Sequence, residues 1–238
     1  MASLPIHIMR SDTAAAAATP RAGSLTVPSA VSLRPSLEAL RQRPKQAGQA
    51  SFFYFDSHFQ YDAVKVLPGE NFVSGDELVI TTVLGSCIAA CLWDTHMRVG
   101  GMNHFLLPDS DAPDVTGRYG SYAMELLINE LLKRGARREN LQAKIFGGAQ
   151  VMHSFTTLNV GQRNTEFVRH YLRTERIALV SEDVLGIFPR KVCYFPTTGK
   201  AMVKRLAHAH PEKLLEREKH GDAARLAQVT CGGSVDLF

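Results

Sequence analysis

Apolar residues recur along the chain in two patterns, which predict strands and helices. Short runs rich in β-branched and aromatic residues predict strands, because such side chains fit a pleated surface. Eight such runs lie at residues 62–67, 78–82, 87–93, 99–107, 143–146, 177–180, 191–195 and 200–206. The run at 177–180 is uniformly apolar, so we expect a buried strand there.

Helical spacing of apolar residues appears in two longer segments. The first covers residues 119–132 and ends before Gly135; its apolar positions are Tyr119, Tyr122, Ala123, Leu126, Leu127 and Leu131. The second uses Phe167, Val168, Tyr171 and Leu172, with Asn164 as the predicted N-cap. Several strands with two or three helices predict a layered α/β or α+β domain.

The order of these segments predicts one domain with a tail at each end. Residues 1–51 contain an alanine run and scattered prolines with little apolar periodicity, which predicts a flexible leader. We expect the folded domain at 52–207. Residues 208–238 are polar, with a possible helix at 211–227, and predict an appended C-terminal tail.

Composition and charge argue against a membrane-spanning protein and against a nucleic-acid-binding protein. The chain is 45% hydrophobic and 21% charged, as in ordinary globular proteins, and no apolar run approaches the roughly 20 residues of a membrane-spanning helix. The net charge of +4 lies in separate clusters without interleaved aromatics, so we do not expect nucleic-acid binding. The N-terminus lacks the pattern of a secretory signal, which favours the cytoplasm.

The cysteines and histidines do not form a recognisable metal or nucleotide motif. There is no HExxH sequence and no paired Cys/His knuckle, and Gly147-Gly148 is not followed by the Lys-Ser/Thr of a phosphate loop. We therefore expect neither a metal nor an organic cofactor. The irregular spacing of the cysteines predicts reduced thiols at Cys87, Cys91, Cys193 and Cys231.

One predicted hairpin brings a thiol and an imidazole together. If strands 87–93 and 99–107 pair symmetrically about a turn centred between Thr95 and His96, Cys87 faces His104, with Cβ atoms about 4.5–5.5 Å apart. A slip of one residue would move the two side chains to opposite faces. On the same reasoning, Asn103 points to the other face and is left out of the candidate site.

This pair has the chemistry of an acyl-transfer site. An imidazole can remove the thiol proton, and the thiolate is the nucleophile. Gly85 and Ser86 allow a close backbone approach, so that N–H groups near them can stabilise an oxyanion. The alternative is that Cys87 and His104 are packed core residues, which is the more common role of a lone cysteine or histidine in a strand. We assign the other three cysteines to such packing.

The segments 83–87 (VLGSC) and 100–108 (GGMNHFLLP) closely resemble the CheD family of chemoreceptor glutamine deamidases. The resemblance extends to 62–70 (DAVKVLPGE), 143–149 (AKIFGGA) and 159–164 (NVGQRN), and covers about residues 52–206. It places the family's nucleophilic cysteine at Cys87, its histidine at His104 and its assisting threonine at Thr81.

The resemblance also implies a fold, an activity and partners. The family is similar in fold to the catalytic domain of cytotoxic necrotising toxins, a layered α/β sandwich of mixed, largely antiparallel sheets. Its activity is that of a protein-glutamine glutaminase on methyl-accepting chemotaxis receptors, and some members bind a CheC-type phosphatase. A helical receptor cannot enter a deep pocket, so we expect a shallow, open site. We also expect the protein to be a monomer.

Two other functions remain open at this point. A papain-like cysteine peptidase would use the same thiol and imidazole on main-chain amides. A non-catalytic adaptor would bind a CheC-type phosphatase or a receptor through its surface.

Overall fold

The computed structural model describes residues 37–44, 46–107, 113–150, 160–206 and 236–238, all within the compact unit Ser32–Phe238. Three helices are present in these ranges: α1 (Leu37–Arg41), α2 (Pro113–Lys133) and α3 (Val160–Thr174), with a 3-10 turn at Arg138–Asn140. The strands are β1 (Phe52–Asp56), β2 (Tyr61–Lys65), β3 (Asn71–Ser74), β4 (Val79–Leu84), β5 (Ile88–Asp94), β6 (Val99–Asn103), β7 (Leu141–Gly147), β8 (Ala178–Val184), β9 (Arg190–Phe195), β10 (Lys200–Arg205) and β11 (Asp236–Leu237).

The strands form two mixed sheets. One has six strands in the order β1-β2-β4-β9-β10-β11, and the other has five in the order β3-β6-β5-β7-β8. The pairs β2–β4 and β7–β8 are parallel, and the remaining pairs are antiparallel. This confirms the layered α+β sandwich of largely antiparallel sheets that the sequence predicted.

Side chains of β5 alternate between two cores. Ile88, Ala90 and Leu92 pack in a cluster with Leu127 of α2 and Val168 of α3, so these helices cover one face of the five-stranded sheet. Full burial of a large aliphatic side chain stabilises the fold by roughly 1.5–3 kcal/mol.

The intervening residues Cys87, Ala89 and Cys91 belong to a second cluster with Ile80 and Val192 of the six-stranded sheet. This second cluster is the inter-sheet core. The hydroxyl of Tyr194 also crosses it and donates to the Leu92 carbonyl at 2.9 Å. The two sheets therefore pack face to face, and the candidate cysteine lies between them.

Two predicted details of the helices are wrong. In α2 the buried side chains include Met124 and Ile128, whereas Tyr119 and Tyr122 are exposed. Helix α3 begins at Val160, so Asn164 lies inside the helix and does not cap it.

The strand predicted at 177–180 is β8, and its first three residues, from Ala178 to Val180, are exposed rather than buried. It is the edge strand of the five-stranded sheet, and its apolar run therefore did not signal burial on both faces.

Two short elements of the structure, α1 and β11, lie outside the predicted domain of residues 52–207. Leu40 of α1 is fully buried in the inter-sheet core, and Ala50 packs there as well, so ordered chain precedes residue 52. At the other end β11 pairs with β10, placing Leu237 opposite Met202. A five-residue helix and a two-residue strand are too short to show periodicity. The predicted helix at 211–227 and Cys231 lie outside the described residues.

Candidate active site

The β5–β6 hairpin has a different register from the symmetric one predicted. Cys91 faces Met102 and Asp94 faces Val99, and an isolated bridge joins Ile88 to Phe105. Continued by one residue, this register would put Cys87 opposite Leu106, two positions beyond His104. Direct opposition of Cys87 and His104 is therefore wrong. Because the shift is two residues, both still point to the same face as diagonal neighbours, for which a regular ladder spacing is about 7–8 Å.

The turn of this hairpin explains the register. The carboxylate of Asp94 accepts hydrogen bonds from the backbone N–H groups of His96 and Met97 at 2.8 and 2.9 Å. Arg98 has a φ of 53° and closes the four-residue connection at Val99. Burial raises the pKa of Asp94, but backbone hydrogen bonds, from Met97, Arg137 and His96, outweigh it and hold the pKa below its usual value.

Cys87 and His104 both lie in the space between the sheets. Cys87 is 1% exposed and His104 is 2% exposed. The expectation of a shallow, open site is therefore wrong for this conformation. A buried thiol and imidazole are shielded from bulk water, which strengthens electrostatic interactions around them.

The imidazole of His104 is held by a threonine of the opposite sheet. Thr82 Oγ1 lies 2.9 Å from His104 Nδ1, and the same hydroxyl donates its hydrogen to the Val66 carbonyl at 2.8 Å. Since a hydroxyl has only one hydrogen, Thr82 must accept from Nδ1–H. The lone pair of the neutral ring is then on Nε2. Within the described part of the chain, this buried Nε2 has no hydrogen-bond partner.

Burial also sets the charge of this ring. It lowers the pKa of His104 to about 4, the adjacent Val66 backbone opposes the shift, and the nearby charge of Lys65 adds to it. At neutral pH His104 is consequently uncharged and able to accept a proton at Nε2.

Thr81, which the resemblance marks as the assisting threonine, points away from His104. Its hydroxyl lies 2.9 Å from the Tyr54 hydroxyl and 3.3 Å from the Val64 carbonyl, on the outer face of β4. Alternation along the strand sends Thr82 inward instead, beside Ile80 and Leu84 of the inter-sheet core. The contact with the imidazole therefore belongs to Thr82.

The backbone of His104 is fixed by the turn after β2. Its N–H donates to the Glu70 carbonyl at 3.0 Å, and its carbonyl accepts from the Gly69 N–H at 2.7 Å. The Glu70 carboxylate accepts from the Leu67 N–H and closes the turn. Segment 62–70, which the resemblance includes, thus has a structural role next to the candidate base.

The backbone around Cys87 is held by the glycine pair after β7. Gly148 N–H donates to the Cys87 carbonyl and Ala149 N–H to the Gly85 carbonyl, both at 2.8 Å. A Cβ on Gly147 would lie 2.1 Å from the Cys87 oxygen, and this residue has a φ of 111°. Only glycine fits this contact, because it lacks a Cβ and tolerates positive φ.

A buried ion pair lies behind this glycine pair. Arg190 donates to Asp183 at 2.9 Å and to the Leu185 carbonyl at 2.7 Å, and the Leu185 N–H donates to the Gly147 carbonyl. Burial raises the pKa of Asp183, but hydrogen bonds from Arg190 and Arg205 outweigh burial and keep the pKa low. This charged pair supports the segment that holds Cys87.

Asn164 is a residue of the site that the sequence did not identify. Its Nδ2 donates to the Ser86 carbonyl at 2.8 Å, and its Oδ1 accepts from the Leu107 N–H at 3.0 Å. The available signal was its place in segment 159–164. Asn103, in contrast, points to the helix side as predicted, where its side chain bonds to Ala90 and Ala123.

Among the described residues, the other candidate groups do not assemble into a further site. Cys91 and Cys193 are buried thiols outside any disulfide, each packed in a core. In the described ranges, no group of three or more His, Cys, Asp or Glu side chains is placed to hold a metal ion. No helix there has the length and apolarity to cross a membrane.

Comparisons with known proteins point to one family. Residues 106–205 match the family model described as "CheD chemotactic sensory transduction". A curated relative from Albidiferax ferrireducens, "Probable chemoreceptor glutamine deamidase CheD 1", is 68% identical over 202 residues, covering 85% of this chain and 86% of its own.

Other relatives are similar over most of their length. The "Probable chemoreceptor glutamine deamidase CheD" of Xanthomonas campestris is 53% identical, over 78% of this chain and 93% of its own. The relative of the same name from Methylobacillus flagellatus is 49% identical, over 82% and 98%. A solved structure, the hypothetical protein YfiH of Bacillus licheniformis, aligns with a TM-score of 0.35 at 12% identity, over 49% of this chain and 51% of its own.

Proposed function

The chain belongs to the CheD family, and on that premise we propose that it deamidates glutamine side chains of chemoreceptors with Cys87 as nucleophile and His104 as base. The names of its relatives supply the substrate class. The observation that carries the residue assignment is the state of the imidazole: Nδ1 is bound to Thr82, and the lone pair of Nε2 is in the inter-sheet space that also holds the thiol.

In the proposed first step, Nε2 of His104 takes the proton of the Cys87 thiol. The thiolate attacks the carboxamide carbon of a receptor glutamine, forming a tetrahedral oxyanion. Backbone N–H groups of the Gly85-Ser86-Cys87 turn stabilise this charge. The fixed carbonyls of this turn support the assignment, since they hold its N–H groups in one orientation.

In the second half of the reaction the imidazolium gives its proton to the departing nitrogen, and ammonia leaves. A water molecule, deprotonated by Nε2, then adds to the thioester. Collapse of this second intermediate breaks the C–S bond, releases glutamate and returns the proton to the thiolate. Thr82 keeps Nδ1–H in place throughout, as the third group does in catalytic triads.

The burial of Cys87 implies a structural change before catalysis. A thiol that is 1% exposed cannot meet a side chain on another protein unless the site opens locally. Binding of the receptor is the event that would drive this opening, since a ligand stabilises the state to which it binds.

We also propose the compartment and the form in which the enzyme works. We place it in the cytoplasm, because the described cysteines form no disulfide and receptor glutamines are its substrates. We expect it to act as a monomer without a cofactor. We also propose that it binds a CheC-type phosphatase, as the family resemblance implies.

Mass spectrometry of a chemoreceptor cytoplasmic fragment tests the proposal. Wild type should convert specific glutamines to glutamates, while Cys87→Ala should convert none. Cys91→Ala is the matched control, because Cys91 is a buried thiol on the same sheet face and should be dispensable. Cleavage of the fragment by wild type without deamidation would favour a peptidase. Deamidation by Cys87→Ala would overturn the thiol mechanism. If wild type does not deamidate the fragment either, a non-catalytic adaptor is favoured.

A further inference from the structure

The side-chain amide of Asn164 occupies the position of a missing rung in the β5–β6 ladder. The last backbone rung joins Ile88 and Phe105, which exchange two hydrogen bonds of 2.9 Å each. In a regular antiparallel ladder the next such pair is two residues further, at Ser86 and Leu107. There, the Leu107 N–H would donate to the Ser86 carbonyl.

Asn164 stands between these two groups instead. Leu107 N–H donates to its Oδ1 at 3.0 Å, and its Nδ2 donates to the Ser86 carbonyl at 2.8 Å. The orientation of the amide is fixed chemically, since a backbone N–H can only donate and a carbonyl can only accept. One primary amide thus separates the two strands while pairing both backbone groups.

The place of this insertion gives it a consequence for the site. Ser86 immediately precedes Cys87, and Leu107 lies three residues after His104. The inserted amide therefore ends the ladder at Ile88 and keeps Cys87 out of a regular strand pair with Leu106. Freed from the ladder, the Gly85-Ser86-Cys87 turn is held by Gly148 and Ala149 in its own conformation.

Helix α3 is a firm support for this amide. Asn164 is fully buried, and Val168 and Leu172 of the same helix are buried in the core beneath α2. At the start of α3, a Cβ on Gly161 would lie 2.2 Å from the Gly148 oxygen. The helix therefore touches the Cys87 turn twice, through Asn164 and through the glycine pair.

We propose that Asn164 is a positioning residue, whose inserted amide sets the geometry of the Cys87 turn relative to His104. This inference rests on the proposed function. Without the amide, Ser86 and Leu107 are left with unpaired groups that can be satisfied by pairing directly, which draws Cys87 into the ladder. The nucleophile is then displaced from the base and from the oxyanion-stabilising N–H groups, although the fold is retained.

Two variants of Asn164 test this role. Asn164→Ala removes both hydrogen bonds, and Asn164→Asp has nearly the same size but cannot donate to the Ser86 carbonyl. We expect kcat for receptor deamidation to fall by about a hundredfold in each, the scale of a misplacement near 1 Å, with little change in KM. The pH profile of Cys87 alkylation should shift in both variants, because the thiol has moved relative to His104.

Tyr171→Phe is the matched control on the same helix. It removes the 2.6 Å hydrogen bond from Tyr171 to Glu125, which ties α3 to α2 away from Cys87. We expect a lower Tm with wild-type kcat and an unchanged alkylation profile. If Asn164 had a purely structural role, its variants would likewise show a lower Tm with wild-type kcat. Wild-type kcat in either Asn164 variant would therefore overturn the proposal.

A measurement on the wild-type protein guards against variants that fail to fold. The Leu107 amide hydrogen should exchange slowly with solvent although it lies beyond the last rung, and rapid exchange would overturn the proposal. Failure of the proposed function is distinguishable: it is shown by deamidation in Cys87→Ala. An inactive Cys87→Ala beside fully active Asn164 variants would overturn the positioning role alone.

Discussion

Thr82 and His104 are joined by a 2.9 Å hydrogen bond between Oγ1 and Nδ1 that runs from one sheet to the other. Thr82 belongs to β4 of the six-stranded sheet, and His104 directly follows β6 of the five-stranded sheet. The orientation of the candidate base therefore depends on how the two sheets pack. Any change that shifts one sheet against the other is expected to reach the imidazole.

Replacing Thr82 with valine should impair catalysis while preserving the fold. Thr82→Val keeps the branched shape but leaves Nδ1–H and the Val66 carbonyl without this hydroxyl. We expect a loss of stability of about 1–3 kcal/mol from the unpaired buried groups. We also expect kcat to fall by about a hundredfold because the ring is no longer held in one tautomer and orientation. Steady-state deamidation assays and urea denaturation measure the two effects.

Thr81→Val is the informative comparison, since the two threonines are adjacent and differ in the direction they face. Its hydroxyl meets Tyr54 on the outer side of β4. The geometry predicts that the larger loss of kcat belongs to Thr82→Val. If Thr81→Val were inactive and Thr82→Val fully active, the assignment of the positioning hydroxyl to Thr82 would be wrong.

The depressed pKa of His104 predicts a pH dependence of stability. The folded-state pKa is about 4 and the ordinary value is 6.5, so the unfolded chain binds the proton more readily. Stability from this group is complete above pH 6.5 and is lost as the pH falls toward 4. At about 1.4 kcal/mol per unit, the loss is roughly 3 kcal/mol.

His104→Gln isolates this contribution. The difference in unfolding free energy between pH 7 and pH 4 should be smaller in the variant than in wild type, as measured by urea denaturation at each pH. Parallel stability curves for the two proteins would show that the folded protein does not hold His104 neutral.

The sequence predicted the face on which Cys87 and His104 lie, but not their register. Side chains alternate with period two, so the shared face survived an error of two residues in the pairing. The register itself depends on the turn, where Asp94 binds two backbone N–H groups and Arg98 takes a positive φ. Neither feature can be read from the apolar pattern.

Contacts between segments that are distant in the chain could not be predicted from the sequence either. Thr81 and Thr82 are identical residue types, and only the direction of β4 relative to the other sheet decides which meets the imidazole. Asparagine is a residue type that commonly caps helices, so the sequence predicted this role for Asn164. In the structure its amide instead donates to the carbonyl of Ser86, 78 residues earlier in the chain. Local propensity identifies such a residue as polar, but its hydrogen-bond partners are determined by tertiary packing.

Gly147→Ala should disrupt the Cys87 turn. The new Cβ would meet the Cys87 carbonyl oxygen at 2.1 Å, on a residue whose φ is 111°. We expect the free energy of unfolding to fall by more than the roughly 1–3 kcal/mol that an unfavourable backbone conformation costs alone. We also expect reduced deamidation. Thermal denaturation and the deamidation assay measure these effects.

Gly48→Ala provides the matched control for that substitution. Gly48 also has a positive φ, of 76°, but a Cβ there meets nothing within 4 Å. It should therefore show the backbone cost without the clash and retain deamidation. Equal destabilisation in the two variants would mean that the contact with the Cys87 carbonyl is not tight.

The rate at which iodoacetamide alkylates Cys87 with a chemoreceptor cytoplasmic fragment present, compared between wild type and His104→Gln near neutral pH, tests the thiol–imidazole pair most directly. Cys91 serves as an internal reference, because burial raises its pKa and outweighs the opposing charge of Lys144. Peptide mass spectrometry distinguishes the two sites. We predict that wild-type Cys87 reacts faster than Cys91, and that His104→Gln removes this advantage. Equal alkylation of Cys87 in both proteins, or an inert Cys87 in wild type, would contradict it.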